Sequence, residues 1–90
     1  MNATAQSSAD DVKATIKSFV VRSINFSNFG DDDDLFETGL VNSLFAVQLT
    51  TFIEKKFGIE ISADDLDIRN FRSLSATTDF VLRKRAELAA

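Results

Sequence analysis

The stretch that decides the fold is Leu35-Phe36-Glu37-Thr38-Gly39-Leu40-Val41-Asn42-Ser43-Leu44, continued by Phe45-Ala46-Val47-Gln48-Leu49-Thr50-Thr51-Phe52-Ile53-Glu54-Lys55-Lys56-Phe57-Gly58. Gly39 permits a sharp turn, and Leu40 and Val41 anchor the approach to a helix that starts near Asn42 or Ser43. At 100° per residue, Phe45, Ala46, Leu49, Phe52, Ile53 and Phe57 fill one arc, which faces the core. Lys56 falls inside that arc but in the last turn, where its stem can snorkel and its charge suits the helix dipole. Gly58 stands where a left-handed residue ends a helix. The opposite arc carries Leu44, Val47, Gln48, Thr50, Thr51, Glu54 and Lys55, so two apolar residues sit on a polar face beside Ser43.

Working outward, Val12, Ile16, Phe19, Val20 and Ser23 follow helical spacing. They predict a first helix capped by Ser8, with Asp10 and Asp11 in its first turn and an end near Ser23. Residues 1–7 lack periodicity and read as a disordered terminus, leaving 8–90 as one domain. Between the first two helices lies a long connection, a kind of loop that is uncommon in compact domains and often functional. Ile24, Phe26, Phe29, Leu35 and Phe36 are expected to pin it to the core. After the short connector Ile59-Glu60-Ile61, Ser62 and Asp65 form an approximate capping box for a short third helix through about Asp67. Ile68, Phe71 and Leu74 anchor the next link. Ser73 caps a last helix whose stripe is Leu74, Thr77, Thr78, Val81 and Leu88, with Arg83, Lys84 and Arg85 toward its C-terminus. The expected fold is all-α, a four-helix bundle of three longer helices and one short third helix.

Ninety residues leave room for one core, and the chain has no proline and only three glycines. Nine phenylalanines without tyrosine or tryptophan supply large apolar area with no polar handle. The absence of cysteine and histidine removes thiol nucleophiles, disulfides, the commonest metal ligand and the usual general base. The first twenty residues contain no apolar h-region, and no run approaches the roughly 20 apolar residues of a membrane span. A cytoplasmic monomer that binds neither membrane nor metal is the expectation. Residues 31–67 hold ten acids against Lys55 and Lys56, which argues against nucleic acid and suits a basic partner or a solvated surface. An EF-hand loop starting at Asp31 would place Leu35 and Phe36 where an oxygen ligand and a glycine are needed. No P-loop, GxGxxG or nucleophile–base–orienter set is present.

Ser43 sits where backbone N–H groups and the positive end of the helix dipole favour a covalently attached phosphate. Taken alone, a serine there is also an ordinary N-cap. Across roughly residues 9–88, however, the chain resembles the acyl carrier protein family, also called thiolation or peptidyl carrier domains. The likeness is carried by Gly39, the Asn42-Ser43-Leu44 triplet, the amphipathic helix after it and the Phe57-Gly58-Ile59 exit. The resemblance implies that Ser43 receives 4′-phosphopantetheine from coenzyme A by a phosphopantetheinyl transferase that uses Mg²⁺. The arm's thiol then holds acyl groups as thioesters, and the chain has no catalytic turnover of its own. Asn42 would serve as helix cap and recognition residue, and Leu44, Val47, Gln48, Thr51 and Glu54 would form the docking face for partner enzymes.

Two departures stand out. Most family members have aspartate where this chain has Asn42. The spacing from Gly39 to Ser43 is one residue longer than in typical fatty-acid carriers and looks like that of stand-alone carriers, including D-alanyl carriers. Residues 42–49, 52–55 and 65–73 resemble stand-alone carriers of hydroxymalonyl or methoxymalonyl extender units in polyketide and antibiotic biosynthesis. That subgroup implies an acyl-loading enzyme, dehydrogenases or other tailoring enzymes, and an acyltransferase or ketosynthase as partners. The alternatives are a D-alanyl or aminoacyl carrier, or a non-covalent module that binds a basic partner helix on the same scaffold.

Overall fold

The computed structural model describes residues 9–89. Helix α1 spans Ala9–Ile24, α2 Ser43–Phe57, α3 Ile68–Phe71 and α4 Leu74–Ala89, with a single 3₁₀ turn at Ala63–Asp65 and no strand among the described residues. The all-helical architecture agrees with the sequence. The expected Ser8 cap and the 1–7 segment lie outside the described residues.

Val12, Ile16 and Val20 are buried on α1, and Phe45, Leu49 and Ile53 on α2. Helix α4 packs along α1 and against α3. Helix α2 meets α1 through an aromatic cluster in which Phe19 stacks on Phe52, with ring centroids 4.3 Å apart, and tilts against Phe45 at 5.9 Å. Phe71 meets Phe80 edge-on at 5.1 Å. The buried α4 face is Leu74, Thr77, Thr78, Phe80 and Val81. Leu88, expected on that face, is 66% exposed because it lies beyond the last buried turn, and Phe80 takes a larger share of the core than the stripe predicted. Ser73 caps α4 as expected, its hydroxyl accepting the Ala76 N–H at 3.0 Å.

The 25–42 connection is held by a few firm points. Leu35 and Val41 are buried, while Ile24, Phe29 and Phe36 pack partly against the core. Phe26 departs from expectation. It is 40% exposed and, among the described residues, stacks only on Phe29, since the loop has its core anchors at Leu35 and Val41 instead. The aspartate run is largely engaged in shaping the chain. Asp31 pairs with Lys13 at 2.9 Å while its carbonyl accepts the Ser75 N–H, and Asp33 accepts the Gly30 N–H. Asp34 Oδ1 accepts the N–H groups of both Phe36 and Glu37. Among the described residues no cluster of His, Cys, Asp or Glu is arranged to hold a metal.

The third helix also needs correcting. Residues 63–65 form only the 3₁₀ turn, and the α-helical turn comes later, at Ile68–Phe71. The aspartate side chains decide this. Asp65 Oδ2 accepts from Ser62 N and Oγ and from Lys84, so the turn closes on itself. Asp67 then caps a new helix by accepting the Arg69 N–H at 2.9 Å, a local bond that competes with continued helix. Ile68, expected as an anchor, is 56% exposed, whereas Phe71 and Leu74 are buried.

Candidate functional site: the start of helix α2

The approach to α2 is a closed turn. The Leu35 N–H donates to the Arg72 carbonyl at 2.7 Å, tying the loop to the α3–α4 link, and the Val41 N–H returns to the Leu35 carbonyl at 3.1 Å. Gly39 turns the chain with φ 82°, a conformation that an L side chain rarely adopts. Asn42 follows in extended backbone, and its side-chain oxygen accepts the Phe45 N–H at 3.0 Å. The capping oxygen thus belongs to Asn42. Ser43 becomes the first helical residue, exposed, with its hydroxyl making no hydrogen bond among the described residues.

This arrangement fits a phosphate ester. The N–H groups of Ser43 and Leu44 have no partner among the described residues, and the first turn of α2 contains no acid. The uncompensated positive end of the helix therefore faces the position where negative charge would be attached. Beside the hydroxyl runs a mostly apolar groove of about 230 Å³, bounded by Phe36, Ser43, Ala46, Val47 and Thr50 on one side and by Leu66, Asp67, Ile68 and Phe71 on the other. A flexible arm attached to Ser43 has an apolar surface to lie on.

Of the residues expected in a docking face, Leu44 (67% exposed), Val47 (61%), Gln48 and Thr51 all open to solvent. Val47 lines the groove, whereas Leu44 and Gln48 border a second depression against Ile24 and Leu40. Glu54 is half-buried, and its carboxylate accepts the Ile61 N–H at 2.9 Å, fastening the exit of α2. Sequence reasoning missed Leu66, 61% exposed, and Ile68 as the facing wall. The available signal was the alternation Asp65-Leu66-Asp67-Ile68, in which each apolar residue is flanked by a charge that keeps it near solvent.

Electrostatics around this wall are set by ion pairs. The Lys84 ammonium, followed by the Ser62 N–H, holds the Asp65 carboxyl at about 2, and the Arg69 guanidinium holds Asp67 at about 2. Lys84 is raised in turn by Asp65.

An exposed hydroxyl at a helix start, beside an apolar groove, is the arrangement a covalent carrier uses. The family model described as "Phosphopantetheine attachment site" matches residues 14–78, and the chain belongs to that family. No curated protein sequence matches the chain significantly. As a member of this family it is a carrier domain without catalytic activity of its own. It bears a covalently attached 4′-phosphopantetheine and works with a phosphopantetheinyl transferase and partner enzymes. Among the described residues, no helix is long and apolar enough to cross a membrane.

Proposed function

We propose that Ser43 is the attachment point and that the cargo is a short, oxygenated extender unit of the hydroxymalonyl or methoxymalonyl type. What supports the first part is the division of labour at the helix start. Asn42 satisfies the Phe45 N–H, so modification of Ser43 costs the helix no cap. In the transfer, Ser43 Oγ bonds to the β-phosphorus of coenzyme A, the pyrophosphate P–O bond breaks and 3′,5′-ADP leaves. The Ser43 hydroxyl proton passes to a base on the transferase, which also holds the Mg²⁺. When bound, the arm supplies a thiol that holds an acyl group as a thioester.

Leu44, Val47, Gln48 and Thr51 form the partner-docking face, joined by Leu66 and Ile68. Glu54 supports it from beneath by holding Ile61. Asn42 adds recognition to its capping role. The likeness of residues 42–49, 52–55 and 65–73 to extender-unit carriers supports the cargo, and the modest groove is in keeping with a short acyl group. Loading, oxidising and acyl-transferring enzymes are then the partners of a monomeric, cytoplasmic carrier.

The test is intact-protein mass spectrometry. With coenzyme A, Mg²⁺ and a broad-specificity transferase, the mass should rise by one phosphopantetheine, and Ser43→Ala should prevent the gain. An unchanged wild-type mass with several competent transferases would sink the assignment. Protein taken from the producing cell reports the cargo directly through its additional mass.

A further inference from the structure

From Ser62 through Asn70 no residue is buried, yet this segment supplies Leu66 and Ile68, the outer wall of the groove beside Ser43. A 3₁₀ turn of three residues and a helix of four are too short to hold their own shape in water. The segment is held instead by polar ties that centre on Asp65 and reach α4. Lys84 Nζ donates to Asp65 Oδ2 at 2.8 Å, across nineteen positions of sequence, with both side chains about four-fifths covered. The Asp65 carbonyl accepts Asn70 Nδ2 at 2.9 Å, and Asn70 Oδ1 accepts Arg83 Nη2 at 3.2 Å. The wall residues thus lie between two points, Asp65 and Asn70, that are joined to each other and each fastened to α4.

We propose that Lys84 and Asp65 are positioning residues for recognition at Ser43: their ion pair, relayed through Asn70 to Arg83, fixes where the Leu66–Ile68 wall stands across the groove. The proposal rests on Ser43 being the attachment point. It assigns to the last helix, which contributes nothing to the groove lining, control over how partner enzymes engage the modification site.

The experiment uses the full chain with coenzyme A, Mg²⁺ and a broad-specificity transferase. Lys84→Met keeps the apolar stem and removes the charge. It should raise the KM for carrier about fivefold, the scale of one well-formed ion pair, while kcat stays within about twofold. Amide exchange across residues 62–70 should accelerate, and Lys84→Arg should restore both KM and protection. Lys56→Met, which removes a cation outside the relay, should leave KM unchanged. Asn70→Ala cuts the relay from the other end and should raise KM in the same direction. Normal KM values in both Lys84→Met and Asn70→Ala would overturn the positioning role. So would a normal KM in Asn70→Ala alone, if Lys84→Met did not fold. Wild-type chain that accepts no arm would instead overturn the assignment of Ser43, on which the role depends.

Discussion

With Asn42 capping α2 through its side-chain oxygen, the Ser43 hydroxyl is released from the task that serine usually performs at a helix start. Asn42→Ala should therefore cost about 1 kcal/mol of stability, seen as a lower urea midpoint with unchanged slope. Asn42→Asp keeps an acceptor oxygen and adds a charge that favours the helix N-terminus, so it should match or slightly exceed the natural chain in the same titration. A loss as large as that of alanine would mean that the Asn42 amide does more than cap. Thr78 presents the opposite situation. Its hydroxyl is buried on α4 without a hydrogen-bond partner among the described residues, whereas neighbouring Thr77 donates to the Ser73 carbonyl at 2.8 Å. Valine has the same shape without the polar atom. Thr78→Val should stabilise the fold by about 1 kcal/mol, measurable as a higher thermal midpoint, whereas the same change at Thr77 should not.

At the scale of elements, α2 was legible because several independent signals agree between Asn42 and Gly58. Its apolar spacing, the cap at Asn42, the lysines in its last turn and Gly58 at φ 66° all point to the same boundaries. The two faces can be tested separately. Leu49 is buried among the other helices, so Leu49→Ala should cost roughly 2–5 kcal/mol. Val47→Asp adds a charge on the exposed face, so far-ultraviolet circular dichroism should stay near that of the natural chain while the transferase reaction slows. If Val47→Asp unfolded the protein instead, the exposed-face assignment would be wrong. The region from Ser62 to Phe71 was not legible to the same degree. Its helix boundary depends on whether Asp65 and Asp67 bond forward, backward or to Lys84, and that last partner is known only once α4 is in place. Phe26 failed for a related reason, because composition marks it as core material while loop geometry gives the interior to Leu35 and Val41. The candidate site divides the same way: the exposed face of α2 could be read from local pattern and Ser43 was singled out by the resemblance across the whole chain, whereas the Leu66–Ile68 wall required tertiary structure.

For the molecule as a whole, the charge pattern is less one-sided than the sequence suggests. Three of the ten acids between residues 31 and 67 are paired with cations, Asp31 with Lys13, Asp65 with Lys84 and Asp67 with Arg69. Two of these pairs reach other segments: Lys13 fastens α1 to the loop, and Lys84 fastens α4 to the 3₁₀ turn. Stability should therefore depend on pH in a definite direction. Asp65 and Asp67 are held at about 2, and Asp31 is lowered as well, each from an ordinary value of 3.8. A carboxyl whose pKa falls on folding contributes its full stabilisation above the unfolded value and loses it as pH drops toward the folded one. The unfolded chain binds more protons throughout that window, so acid favours unfolding. The urea midpoint should be nearly flat from neutrality to about pH 5 and fall between about pH 4 and pH 2. Lys13 and Lys84 are raised, so their share persists below their ordinary 10.5 and is lost only when alkali deprotonates them in the folded state. Lys84→Met removes the main cause of the Asp65 shift and should make the acid fall shallower. Lys56→Met, which takes away a cation outside these three pairs, should leave its steepness unchanged. An equally steep fall in Lys84→Met would show that the Lys84–Asp65 pair is electrostatically inert and that the remaining hydrogen bonds through Asn70 hold the segment to α4.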